Sequence, residues 1–149
     1  MRRRKAKKPQ NKKVQNATAK TYKGIKFRSK LEVFTYKKLE EAGIVSDYEK
    51  HKYVLQSGFY YSSDMYEPHK THGYVTTTTK IRDITYTPDF VDPHGRWIIE
   101  VKGYANDVFP MKWKMFKNHL MQLEEPPVLF LPKNQKQVLQ TIELIQEKF

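Results

Sequence analysis

Apolar side chains recur at helical spacing in three segments of the chain, which predicts three amphipathic helices. Ser29 precedes the first segment and Gly43 follows it, and these are common start and stop signals of a helix. Pro126 and Pro127 bound the second segment on its C-terminal side. The helices are predicted at 29–42, 111–123 and 135–148, with apolar stripes of Leu31, Phe34, Leu39 and Ala42 in the first and of Trp113, Phe116, Leu120 and Leu123 in the second.

The segments between and after these helices favour strands. Residues 44–56, 81–87, 96–102 and 128–131 carry β-branched and aromatic side chains, and the sequence 92–95 is typical of a hairpin turn. The Tyr-, Ser-, Thr- and His-rich stretch that follows the first strand is predicted to be an inserted loop or an excursion of the hairpin. The order helix, three strands, helix, strand, helix predicts an α/β fold with a central mixed sheet flanked by helices.

Charge is distributed very unevenly along the chain of 149 residues, whose net charge is +12. Thirteen of the 28 Lys and Arg residues lie in 1–31, which contains no Asp or Glu, and the remainder is nearly neutral. We interpret residues 1–20 as a flexible, disordered basic arm suited to neutralising phosphates, and residues 21–149 as one folded domain. A solvated tail or a localisation signal is the alternative interpretation of the arm.

The composition also excludes several classes of protein. There is no cysteine, so a disulfide framework and thiolate metal sites are ruled out. No apolar run is long enough to span a bilayer, and the N-terminus lacks the apolar segment of a signal peptide. We therefore expect a cytoplasmic protein with no membrane partner.

The segment from Pro88 to Lys102 carries the most specific chemical signal. Two-residue periodicity places Glu100 and Lys102 on one face of a strand, opposite Val101 and its apolar neighbours. Asp89 lies on the other side of the turn, so the hairpin brings two carboxylates together, and a bound divalent cation would relieve their repulsion. Oxygen ligands favour Mg²⁺ or Mn²⁺ over zinc. A surface hairpin with a simple Glu–Lys ion pair is the alternative.

These motifs resemble those of the PD-(D/E)XK nuclease superfamily. The resemblance is carried by Tyr86-Thr87-Pro88-Asp89-Phe90, by Glu100-Val101-Lys102-Gly103, and upstream by Phe27-Arg28-Ser29-Lys30-Leu31-Glu32. The chain is similar in particular to small phage junction-resolving endonucleases of the endonuclease I type. The resemblance implies a restriction-endonuclease-like αβββαβ core and a phage-infected host cell as the place of action.

The resemblance also implies roles for individual residues. Asp89, Glu100 and the backbone carbonyl of Val101 would hold the metal ion, and Lys102 would position or activate water or stabilise the transition state. Glu32 would be a metal-associated catalytic glutamate on the first helix. Ser29 and Glu32 also form the sequence pattern of a capping box, which explains Glu32 without any chemistry.

These observations lead to a functional expectation: a Mg²⁺-dependent endodeoxyribonuclease that recognises DNA structure, such as a branched or Holliday junction. Two symmetric cuts would require a homodimer. An end- or flap-processing nuclease of phage replication, recombination or genome processing is an alternative, and so is an inactive DNA-binding protein on the same fold. Candidate DNA-binding residues are Arg28, Lys30, Lys112 and Lys114 in the domain and Arg2, Arg3, Arg4 and Lys5 in the arm.

Overall fold

The computed structural model describes residues 19–103 and 105–149. The arm residues predicted to bind DNA, Arg2, Arg3, Arg4 and Lys5, lie outside this part of the chain. Within it there are three helices, α1 (Lys30–Glu41), α2 (Phe109–Leu120) and α3 (Gln135–Lys148). The strands of the same part are β1 (Lys20–Tyr22), β2 (Ile25–Phe27), β3 (Asp47–Tyr48), β4 (Tyr53–Gln56), β5 (Tyr66–His69), β6 (Gly73–Thr76), β7 (Ile84–Tyr86), β8 (Phe90–Val91), β9 (Trp97–Ile99) and β10 (Val128–Phe130).

Four short strands form a mixed central sheet in the order β10-β9-β8-β3. β9 is antiparallel to β8, with Phe90 opposite Ile99, and parallel to β10, with Trp97 opposite Val128. A tight turn joins β8 to β9: the Gly95 N–H donates to the Asp92 carbonyl at 2.8 Å, and Gly95 has a φ of 73°. Glycine adopts that left-handed angle without steric cost. The predicted mixed α/β fold and the predicted turn are confirmed.

Helices cover both faces of this sheet. On one face α1 and α3 pack against Phe90, Trp97 and Ile99, all of them fully buried. On the other face α2 packs against Val91 and Ile98. Each large apolar side chain buried in this way contributes about 1.5–3 kcal/mol. Apolar side chains therefore pack against the β8–β9 hairpin on both faces of the sheet.

The strand assignments before the turn need correction. The predicted strand 44–56 is two strands, β3 and β4, that pair with different partners. The predicted strand 81–87 contains β7, but β7 pairs with β4, and the central-sheet partner of β9 is β8. Pro88 stands between β7 and β8, has no N–H to donate and restricts the residue before it, which explains the interruption.

Two hairpins lie outside the central sheet. β1 and β2 pair through a turn at Lys23 and Gly24, both with positive φ, and β1 begins at the last residue of the predicted arm. This strand pair was not predicted, because its sequence is part of the basic region. The predicted insertion contains β5 and β6, which pair with each other and are almost entirely exposed.

The helix boundaries agree closely with the prediction except in α2. The Phe109 N–H donates to Asn106 Oδ1 at 2.8 Å, so this helix begins two residues earlier than 111 and ends at Leu120. Leu123 was placed on the apolar stripe, which is wrong, since it lies beyond the helix and is 47% exposed. No helix in the described ranges is long and apolar enough to cross a membrane.

Candidate metal and phosphodiester site

Asp89 and Glu100 face each other across the β8–β9 hairpin. The register pairs Phe90 with Ile99, so Asp89 and Glu100 are the next opposed pair towards the open end. Both side chains are buried, with 7% and 4% exposure respectively. Directly opposed like charges destabilise a strand pair. The structure therefore brings together the two carboxylates that the sequence predicted to meet.

Backbone hydrogen bonds hold residues 100–102 on two sides. The Glu100 N–H donates to the Phe130 carbonyl at 2.9 Å, and the Lys102 N–H donates to the Pro132 carbonyl at 3.1 Å. Between them the Val101 N–H points the other way and donates to Asp89 Oδ2 at 2.7 Å. The parallel pairing with β10 thus fixes the positions of Glu100 and Lys102, and Asp89 is held against the same backbone.

Burial raises the pKa of Asp89 well above its usual range, and the negative charges of Glu100 and Glu32 act in the same direction. Burial also raises the pKa of Glu100, against the opposing effect of Lys102. Asp92 behaves differently: burial acts to raise its pKa, but hydrogen bonds from Arg96 outweigh it and lower the pKa. Arg96 outweighs burial at Asp92, whereas burial outweighs the Val101 N–H at Asp89 and Lys102 at Glu100.

Lys102 and Tyr86 are the polar groups nearest to Glu100. Lys102 Nζ lies 3.4 Å from Glu100 Oε1 and 4.6 Å from the centroid of the Phe109 ring. Burial and then the charge of Glu100 raise the pKa of Tyr86, which places its hydroxyl near this carboxylate. Tyr86 is close enough to lower the pKa of Glu100, yet neither the Tyr86 hydroxyl nor Glu100 Oε2 has a hydrogen bond of good geometry among the described residues. A buried carboxylate oxygen without a well-formed hydrogen bond is costly, and a further ligand would relieve that cost.

Glu32 is held by three donors at the start of α1. Ser29 caps the helix as predicted, since its Oγ accepts from the Glu32 N–H at 3.2 Å. Glu32 Oε1 accepts from the Ser29 hydroxyl at 2.8 Å, and Oε2 accepts from the Arg28 N–H at 3.1 Å and from the Tyr48 hydroxyl at 2.6 Å. The side chain therefore has the structural role that the capping-box interpretation required, although the backbone donor is Arg28 and not Ser29.

Glu49 lies beside this cluster and was not identified from the sequence. Its N–H donates to the Asp89 carbonyl at 2.9 Å, which extends the β3–β8 pairing by one residue. Burial raises its pKa, Arg28 opposes the shift, and the negative charge of Glu32 adds to it. No local sequence pattern around Glu49 indicates this placement, because its partners Arg28 and Asp89 are distant in the sequence.

The candidate DNA-binding residues occupy different environments. The side chains of Arg28, Lys30 and Lys114 are exposed. Lys112 is half-buried, and its Nζ donates to the Thr85 carbonyl at 3.2 Å, which ties α2 to β7. The three exposed side chains are accessible to a large ligand, whereas the Lys112 ammonium already donates a hydrogen bond within the protein.

Within residues 19–103 and 105–149, no group of three or more His, Asp or Glu side chains is arranged so as to hold a metal ion. The donor set is nevertheless suited to a hard cation. Asp89 and Glu100 supply oxygen ligands of the type that Mg²⁺ and Mn²⁺ prefer, and Glu100 Oε2 has no partner in the described part of the protein. Glu32 is unlike them, because both of its oxygens already accept hydrogen bonds.

A family model described as Protein of unknown function (DUF1064) matches residues 11–135, and the chain belongs to this family. The matched region includes the three segments that carry the chemical signal, at 27–32, 86–90 and 100–103. No curated protein and no solved structure matches the chain.

Proposed function

We propose that the protein is a metal-dependent endodeoxyribonuclease that hydrolyses phosphodiester bonds. The observation that carries the proposal is the buried pair Asp89 and Glu100, with one Glu100 oxygen unpartnered and Lys102 beside it. Purely structural buried carboxylates are normally neutralised or fully hydrogen-bonded, as Asp92 is by Arg96. The fold we assign on the same grounds is restriction-endonuclease-like, with α1, the β8–β9 hairpin, α2, β10 and α3 as its core.

In this proposal Asp89, Glu100 and the Val101 carbonyl bind Mg²⁺, for which Mn²⁺ substitutes. The ion would polarise the scissile phosphate and lower the pKa of a bound water. Lys102 supplies a fixed positive charge 3.4 Å from Glu100, suited to the negative charge that develops on a phosphate under attack. Glu32 fixes α1 and Tyr48 next to Asp89, and its negative charge contributes to the anionic character of the site.

The substrate we propose is branched or junction DNA, cut by a homodimer in the cytoplasm of a phage-infected cell. Arg28, Lys30 and Lys114 are exposed and available to the DNA backbone, whereas Lys112 is held by the Thr85 carbonyl. Backbone contacts of this kind position DNA without reading its sequence. An end- or flap-processing nuclease would use the same site, so these functions are distinguished by which DNA structure the protein cleaves.

A cleavage panel tests the proposal: four-way junction, flap, single strand and linear duplex, each with Mg²⁺, Mn²⁺, Ca²⁺ or EDTA. Cleavage should require Mg²⁺ or Mn²⁺, and Asp89→Asn or Glu100→Gln should abolish it. Lys102→Ala should reduce the rate at least about a hundredfold. Glu143→Gln, on the exposed face of α3, is the matched control and should cut normally.

Two results would contradict the proposal. Cutting by Asp89→Asn at the wild-type rate would place the chemistry elsewhere. DNA binding without cleavage of any of the four substrates would instead identify an inactive DNA-binding protein on this fold.

A further inference from the structure

Glu49 has a backbone conformation that its sequence does not favour. Its φ is 44°, in the left-handed region, where a side chain with a Cβ is strained. Lys23 is the other non-glycine residue with a positive φ in the described part of the chain, and it belongs with Gly24 to the turn of the β1–β2 hairpin, where such angles are required. Glu49 instead follows the end of β3, with no hairpin turn to explain its angle.

This strained residue makes two contacts that connect the β2–α1 loop to the central sheet. Its N–H is bonded to the Asp89 carbonyl, and its Oε1 lies 2.9 Å from Arg28 Nε. The Glu49 side chain is 23% exposed, whereas that of Arg28 is 76% exposed. The carboxylate is therefore the fixed partner and the guanidinium the accessible one, held by its Nε edge with most of its surface open to solvent.

We propose that Glu49 is a positioning residue that holds the Arg28 guanidinium next to the strand end that carries Asp89, where Arg28 binds a backbone phosphate of the DNA. This inference rests on the proposed function. A guanidinium presents a planar fork of donors that suits a phosphate, and fixing one edge in advance reduces the side-chain entropy lost on binding. Strain retained at a functional position is consistent with this role.

The proposal predicts a change in DNA affinity opposite to the change that net charge alone would produce. Removing a carboxylate near bound DNA should strengthen binding if only charge mattered. Glu49→Ala should instead weaken affinity about fivefold, comparably to Arg28→Ala, because the arginine is no longer oriented. The Arg28→Ala, Glu49→Ala double variant should be no weaker than Arg28→Ala alone, since the two residues act as one unit.

The measurement is fluorescence anisotropy of a labelled four-way junction and a linear duplex in EDTA, so that no cleavage occurs. Glu143→Ala is the control for loss of a negative charge and should bind as tightly as the wild type or more tightly. Glu49→Gly tests folding separately: it removes the carboxylate and the strain together, so its melting temperature should not fall while its affinity does. If Glu49→Ala unfolds, Glu49→Gly provides the affinity measurement.

Normal or tighter DNA binding by both Glu49 variants would overturn the inference, and so would additive losses in the double variant. Failure of the wild-type protein to bind either the four-way junction or the linear duplex would overturn it as well. These outcomes are distinguishable from failure of the proposed chemistry, which is judged by Asp89→Asn and Glu100→Gln in the presence of Mg²⁺.

Discussion

Asp89 combines a buried position with a neighbouring carboxylate, so its negative charge opposes folding wherever no cation balances it. Its pKa in the folded protein is raised well above the usual 3.8 by burial and by Glu100. The folded protein therefore holds this proton more tightly than the unfolded chain does. The resulting stabilisation is present in full below the usual pKa and is lost as the pH rises through the raised pKa of the folded protein.

We predict that Asp89→Asn melts at a higher temperature than the wild type at neutral pH in EDTA. Asparagine keeps an acceptor for the Val101 N–H and removes the buried charge. The difference in melting temperature should shrink towards zero as the pH is lowered to 4, where the wild-type carboxyl is protonated too. Thermal denaturation between pH 4 and 8 measures it. A constant difference across this range would mean that the charge of Asp89 is already balanced within the protein.

For Glu32 we predict that the corresponding amide substitution lowers stability, in contrast to Asp89→Asn. Its two oxygens accept hydrogen bonds from Ser29, Arg28 and Tyr48, and a glutamine offers only one oxygen and presents an NH₂ group to the remaining donors. Glu32→Gln should therefore lose about 1–3 kcal/mol of stability, seen as a fall of several degrees in melting temperature. Tyr48→Phe removes one of these bonds and should lose less. Equal stability of Glu32→Gln and the wild type would mean that these bonds contribute little.

At the scale of elements, helices were predicted well and strands less well, for identifiable reasons. The bounds of α3 were predicted correctly because its apolar spacing is a local signal. β8 was missed because it has only two residues and its pairing with β9 is set by the turn and by the interruption at Pro88. Glu49 could not have been recognised, since its significance comes from a left-handed φ and from Arg28, 21 positions earlier in the sequence.

The β5–β6 hairpin should be removable without loss of the fold. Its residues are almost all exposed, and below it Phe59 and Ile81 exchange two backbone hydrogen bonds of 2.9 and 2.8 Å. Such a pair can be closed by a two-residue turn, so residues 60–80 can be replaced by Asn-Gly. We predict a change of only a few degrees in melting temperature, measured against the full chain. Failure of the shortened protein to fold would show that the hairpin stabilises the core.

At the scale of the whole molecule, the positive charge of residues 1–18 should affect the strength of DNA binding and not the place of cleavage. This segment contains eight Lys and Arg residues and no acid, and ends before β1. Each phosphate that it neutralises contributes about 0.9 to the slope of log affinity against log salt. Deleting residues 1–18 should therefore give a shallower slope on every DNA substrate.

A salt titration of the full and shortened proteins on one junction measures this effect, and mapping of the cleavage products measures the position of the cut. Equal slopes would mean that the segment makes no contact with DNA. A displaced cut would mean that it also determines how the DNA is aligned.

The opposed carboxylates of the β8–β9 hairpin also have a consequence for how such a protein evolves. A single base change converts Asp89 to asparagine, and we expect this change to make the metal-free folded protein more stable while abolishing the proposed chemistry. Mutants without activity would then accumulate at least as well as the metal-free active form. Protein abundance would give them no disadvantage, so only selection for DNA cleavage itself would preserve the aspartate.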